Sequence, residues 1–170
     1  MDNNVIYDKN YVIKCIEENR FKDLRNVDSS LLTLDIVEKY SSILISCIEN
    51  SWNLNSFFSE SNVLFNYVLN NNFDLIFKFS ISFFDDNFIN NNYNKILEYI
   101  ISNDQVPYKV SSNKLLFDGV YELDRMDLVV QFRSNLFTDD FINDNLSKII
   151  NYIIFNNKVP DNLQNNKILF

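Results

Sequence analysis

The sequence predicts an all-α protein of stacked helical hairpins, a solenoid-like array of about three units of 52–53 residues. Three observations lead there. Residues 84–117 align with 137–170 at a constant offset of 53, with 18 of 34 positions identical. Biased composition gives chance Asn matches, but it does not bring the chain's only two prolines, Pro107 and Pro160, into register. Apolar residues keep helical spacing in both segments. A weaker third unit lies upstream at an offset of 52, where Phe21 falls on Phe73, Val37 on Ile89, Leu44 on Ile96 and Ile48 on Ile100. The units expected are 10–60, 61–111 and 112–163, with 164–170 as a terminal cap, all within one domain spanning 1–170.

Within a unit the elements follow in order. Leu64, Phe65, Val68 and Leu69, matched by Leu116, Phe117, Val120 and Tyr121, form the apolar side of a short first helix. Asn70-Asn71-Asn72 or Leu123-Asp124-Arg125 then turns the chain, since Asn and Asp tolerate the left-handed backbone that Gly usually supplies. Phe77, Phe79, Ile81 and Phe83 alternate like a strand, but Ile81 becomes Ser134 in the repeat. The positions apolar in both (75/128, 76/129, 77/130, 79/132, 83/136, 84/137) fit a helix instead. The longest helix comes next. Phe88, Ile89, Tyr93, Ile96, Leu97, Ile100 and Ile101 make one stripe, repeated as Phe141, Ile142, Leu146, Ile149, Ile150, Ile153 and Ile154. Asp85 and Thr138 or Asp139 are its expected N-caps, and Val106-Pro107 and Val159-Pro160 its expected terminators. Lys167-Ile168-Leu169-Phe170 repeats Lys114-Leu115-Leu116-Phe117, the opening of another first helix. Leu163, Ile168, Leu169 and Phe170 are therefore expected to fold over the stripe from Phe141 to Phe155 as a cap.

Composition excludes much chemistry. The 170 residues contain 29 Asn, no Ala, no His, one Gly and two Pro, the signature of an AT-rich genome such as that of a protist, a bacterium or a large DNA virus. Without His there is no Ser-His-Asp or Cys-His arrangement and no His-ligated zinc site. With Gly119 alone there is no glycine-rich phosphate cradle. The net charge of −8 argues against binding nucleic acid. No apolar run reaches 18 residues, the N-terminus lacks a signal-peptide pattern, and two cysteines suit a reducing compartment. An intracellular, cytoplasmic protein with no membrane contact is the expectation.

Lys95-Ile-Leu-Glu-Tyr-Ile-Ile-Ser102 and Lys148-Ile-Ile-Asn-Tyr-Ile-Ile-Phe155 resemble the second helix of ankyrin repeats, commonly E-I-V-K-Y-L-I. Asp74-Leu75-Ile76 and Asp127-Leu128-Val129 resemble its start, and Leu115-Leu116-Phe117 to Met126 the first helix and its turn. The match is to the divergent, Asn- and Ile-rich ankyrin-like proteins of giant DNA viruses and AT-rich amoebae. It covers most of residues 61–170. The resemblance implies a scaffold that binds a protein partner.

No residue constellation points to catalysis, a metal or a cofactor. Asp85-Asp86 and Asp139-Asp140 read as capping and macrodipole partners at helix starts rather than as a metal or acid/base pair. The acidic stretch Asp118, Glu122, Asp124, Asp127, relieved by Arg125, reads as a solvated helix face or a surface for a basic partner. Trp52 sits in a polar link outside the periodic stripes and reads either as an anchor, since Trp is enriched at interaction hot spots, or as a side chain packed under its own loop. Asn71, Asp124 and Arg125 at the turns and Tyr108 in the link after Val-Pro complete the candidate partner contacts. The expected function is a non-enzymatic protein–protein interaction scaffold, monomeric or dimeric through a terminal repeat face. The alternatives are a viral helical bundle that captures an amphipathic partner helix in a groove and an acidic nucleic-acid mimic.

Overall fold

The computed structural model describes residues 7–51 and 54–169, and the chain divides into two compact units, Met1–Phe83 and Phe84–Phe170. Every regular element among the described residues is helical, and none is a strand. The first unit holds α1 (Lys9–Glu17), α2 (Leu34–Lys39), α3 (Ser41–Asn50), α4 (Ser56–Ser59) and α5 (Asn62–Asn71), with 3₁₀ turns at Phe21–Leu24, Ser29–Leu31, Phe73–Lys78 and Ile81–Phe83. The second holds α6 (Asp86–Asn91), α7 (Tyr93–Asn103), α8 (Lys114–Glu122), α9 (Met126–Val129) and α10 (Asp139–Asn156), with 3₁₀ turns at Tyr108–Val110 and Ser134–Leu136.

The tandem pattern reaches down to single bonds. Asp8, Ser61 and Asn113, in equivalent positions, each accept a hydrogen bond from the amide three residues on, at Tyr11, Leu64 and Leu116. Leu24/Ile76/Val129, Val27/Phe79/Phe132, Leu32/Phe84/Phe137, Val37/Ile89/Ile142 and Leu44/Ile96/Ile149 are all buried. Each such side chain contributes roughly 1.5–3 kcal/mol by leaving water, which is why these positions stay apolar while their neighbours drift. The Ser80 amide donates to the Ser59 carbonyl at 2.8 Å, and the equivalent Arg133 amide to Ser111 at 2.9 Å. Lys78 and Gln131 also share a position and a task. Lys78 Nζ donates to the carbonyls of Ile48, Glu49 and Ser51 at 2.9, 2.7 and 3.1 Å. Gln131 donates to the Asp104 carbonyl at 3.2 Å and accepts from the Val106 amide at 2.9 Å. Each satisfies groups that a helix end leaves open.

Four expectations are corrected. The stripe 85–102 is not one helix, because Asn92 (φ −114°, ψ 14°) separates α6 from α7, just as Asn145 (φ −119°, ψ 15°) kinks α10 and Tyr40 (φ −111°, ψ 20°) parts α2 from α3. The segment 73–84 is helical in type but breaks into two 3₁₀ turns, since Phe79 adopts an extended backbone (ψ 174°) while its ring is buried. The long helices stop before Val-Pro, at Asp104 and Asn157, whose left-handed backbones (φ 50° in each) end them first. Of the two predicted turns, only Asp124 is left-handed (φ 57°), whereas α5 runs on through Asn71. Asp85 and Thr138 cap as expected, accepting from the amides of Phe88 and Phe141.

The stripes are also unevenly covered. Ile96, Ile100 and Ile149 are buried, Leu97, Ile101 and Ile153 half-buried, and Ile150 and Ile154 exposed. Of the expected cap, Leu163 is buried and Ile168 and Leu169 are half-buried, while Phe170 lies outside the described residues.

Candidate functional site

The first and last repeats carry clefts at the same place. One, of ≈ 550 Å³, lies in the first unit between the 3₁₀ turn at Phe21–Leu24, the end of α3 and the link into α4. Its wall includes Lys22, Arg25, Cys47, Ser51 and Asn55. The other, of ≈ 540 Å³, lies in the second unit between α9, the end of α10 and the link after it. Its wall includes Asp127, Val130, Tyr152, Asn156 and Pro160, each 105 residues beyond its counterpart in the first. The clefts thus share a position and differ in every one of these five side chains.

The same register explains how each cleft is built. Asn19 (φ 55°) and Asp124 (φ 57°) are equivalent left-handed residues that close α1 and α8. The next residue in each case is an arginine, whose amide reaches back to a helix carbonyl, Arg20 to Cys15 at 2.8 Å and Arg125 to Val120 at 3.4 Å. Each guanidinium is then held by two carboxylates. Arg20 pairs with Glu18 and Asp23, both at 2.7 Å, and Arg125 with Asp104 and Asp127, both at 2.6 Å. Hydrogen bonding to Asp127 and then Asp104 raises the Arg125 pKa further above the usual arginine range, and the Arg125 guanidinium in turn lowers the Asp127 carboxyl. Arg20 lines the first cleft, while Arg125 pairs with Asp127, which lines the second; both arginines are fixed charges rather than proton-transfer groups.

Side chains that follow α3 and α10 tie down carbonyls beside each cleft. Ser56 Oγ donates to the Arg25 carbonyl at 3.0 Å, and Asn162 Nδ2 to the equivalent Val130 carbonyl at 2.7 Å and to Phe132 at 2.6 Å. The Asn162 Oδ1 is buried without a hydrogen-bond partner. Burial raises the Tyr152 phenol and the Cys47 thiol above their ordinary pKa values; the negative charge of Asp127 adds to the first, and a contact with Ser51 opposes the second. Cys15 is buried and Cys47 half-buried, and neither is in a disulfide. A raised thiol is a poor nucleophile at neutral pH.

The residues singled out from the sequence fall unevenly on this geometry. Asp124 and Arg125 do not line the second cleft; Arg125 pairs with Asp127, which does, and Asp124 is bridged to Lys148 at 2.9 Å. Tyr108 is 71% exposed with the Arg133 guanidinium over its ring at 4.3 Å, and it does not line the cleft. Asn71 is exposed at the end of α5, in the first unit, and its Nδ2 donates to the Tyr67 carbonyl. Trp52 lies outside the described residues. Of the acid pairs, Asp85 caps α6 and Asp86 accepts from Asn113. No group of three or more candidate ligand side chains is placed to hold a metal among the described residues. Arg20, Lys22, Tyr152 and Asn162 were not singled out from the sequence. The available signal was the 105-residue register, which sets Arg20 on Arg125.

No family model, curated protein or solved structure matches the chain.

Proposed function

We propose that this protein is a non-enzymatic interaction scaffold, built on stacked helical repeats of a divergent ankyrin-like kind, that binds a protein partner on its repeat surface. One observation carries the reading. The repeats hold their buried positions apolar while the equivalent cleft walls change outright, Lys22 to Asp127, Arg25 to Val130 and Cys47 to Tyr152. A fixed frame with a varied lining is how repeat proteins present recognition surfaces. The first cleft supports it further, since the left-handed Asn19 and the paired Arg20 give it a rigid polar edge at little entropic cost on binding. The first cleft, with Lys22 and Arg25, suits an acidic segment; the second, where Asp127 and Asp161 stand with Lys158, suits one of mixed charge.

The test is capture from cell extract on the tagged full chain, beside the charge-reversed variants Lys22→Glu/Arg25→Glu and Asp127→Lys. These side chains are exposed, so the fold should survive the changes. The expected result is a protein retained in near-stoichiometric amount by the parent and depleted from at least one variant. Capture identical across all three proteins would show that the clefts are not the recognition surface.

A further inference from the structure

We infer that the first cleft binds an extended acidic peptide, one that lays a large apolar side chain against Phe21 and Cys47 and sets carboxylates against Lys22 and Arg25. This rests on the scaffold reading above and names the ligand class for one of its two clefts. Three cations, Arg20, Lys22 and Arg25, and one acid, Asp23, line this cleft in a chain whose net charge is −8. Arg20 is taken up by Glu18 and Asp23. Lys22 and Arg25 are exposed and enter no ion pair among the described residues. The frame does not call for their charge. The equivalent positions are Asp74 and Phe77 in the second repeat and Asp127 and Val130 in the third, while the interleaved positions of Leu24 and Val27 stay apolar and buried. Two unneutralised cations at an open cleft favour an anionic ligand, because no existing partner has to be displaced to gain the attraction.

The cleft also has the length for a chain. It runs into a second hollow of ≈ 480 Å³, with which it shares Asn19, Phe21, Cys47 and Ser51. Along this hollow α3 presents two rows. Ser42, Ser46 and Asn50 recur every four residues and are exposed, while Ile43 and Cys47, one position on, are half-buried. Ser42 to Asn50 covers about 12 Å of helix axis, the reach of roughly four residues of extended chain. An extended peptide brings backbone N–H and C=O groups that need partners, and a row of hydroxyl and amide side chains supplies them. A docked helix satisfies its own and has no use for such a row. The apolar row, continued by Phe21 and the buried Phe58, takes the side chain. It is not kept in the last repeat, where Lys148 stands at the place of Ile43 and Tyr152 at that of Cys47, so this ligand class belongs to the first cleft alone.

The experiment selects a phage-displayed library of random dodecapeptides on the immobilised full chain and titrates the enriched peptides against the parent and Lys22→Glu/Arg25→Glu. Acidic sequences sharing a large apolar residue are expected, with affinity for the variant lower by about tenfold or more. Serine in place of that apolar residue should weaken the peptide by a similar factor. The variant should keep the parent's circular dichroism, because both side chains are exposed and unpaired. A second readout needs no variant. A bound peptide should slow alkylation of the half-buried Cys47, while Cys15 is shielded by its own burial with or without peptide. Enrichment of basic or uncharged peptides, no enrichment, equal binding to the variant, or Cys47 left unshielded would overturn the inference. A partner from extract that is lost only with Asp127→Lys would leave the scaffold standing and overturn this ligand alone. Capture indifferent to both variants would overturn the cleft reading beneath it as well.

Discussion

At the scale of single residues, asparagine does much of the work that glycine does elsewhere. Asn50, Asn103 and Asn156 are the last residues of α3, α7 and α10, and each donates its Nδ2 to the carbonyl four residues back. Asn92 and Asn145 do the same at the kinks. These side chains satisfy carbonyls that a helix end or break would leave open. The chain's one glycine has a steric role instead. Gly119→Ala gains helix propensity of about 1 kcal/mol, but the new methyl meets the Tyr93 hydroxyl. We expect a double-mutant cycle with Tyr93→Phe, read in urea melts, to show favourable coupling of at least ~0.5 kcal/mol. Additive effects would mean that the ring moves aside freely. The Arg125 corner makes a pH prediction. Asp127 has a folded pKa below its unfolded value, so its stabilisation is complete above the ordinary carboxylate range, near pH 4, and is lost as pH falls through the folded value. Arg125→Met should therefore shallow the acid limb of the stability profile while changing stability at pH 7 by about 1 kcal/mol or less, as for other exposed pairs. An unchanged acid limb would show that the pair is not formed in solution.

At the scale of elements, equivalent stripe positions in the repeats have unequal settings. Ile100 is fully buried and its equivalent Ile153 only half-buried. Ile100→Ala should cost roughly 2–5 kcal/mol and Ile153→Ala clearly less, measured by denaturant unfolding. Equal costs would mean that the face of α10 is covered as fully as that of α7. Capping divides the same way. Asp85 and Thr138 cap α6 and α10, while the equivalent Thr33 makes no capping bond to α2. Alanine at 85 or 138 should cost about 1 kcal/mol and at Thr33 less, by the same melts. Helical type was legible from the stripes, because a period of 3.6 survives the substitutions between repeats. The breaks were not. Nothing in the apolar pattern distinguishes Asn92 from its neighbours, and the kink leaves the buried set, Ile89, Ile96 and Ile100, in phase. The same limit holds for the two 3₁₀ turns in 73–83, since six shared apolar positions record burial and not hydrogen-bond pattern.

At the scale of the whole molecule, the repeat was legible and the clefts were not. Buried positions recur, so aligning the chain with itself finds them. The cleft positions differ in size and charge between the first and last repeats, so aligning the chain with itself does not find them. Only Arg20 and Arg125 persist, and they sit in different company, Glu18 and Asp23 against Asp104 and Asp127. The most direct test of a constant frame with variable recognition walls is amide hydrogen exchange on the full chain, alone and with its captured partner. The account predicts slow exchange recurring in three clusters about 52–53 residues apart, unchanged by the partner, with new protection confined to residues 20–25 and 47–55, to 127–131 and 152–162, or to both. Protection in only one repeat of the free chain, or a partner that leaves both sets of walls unprotected, would contradict it.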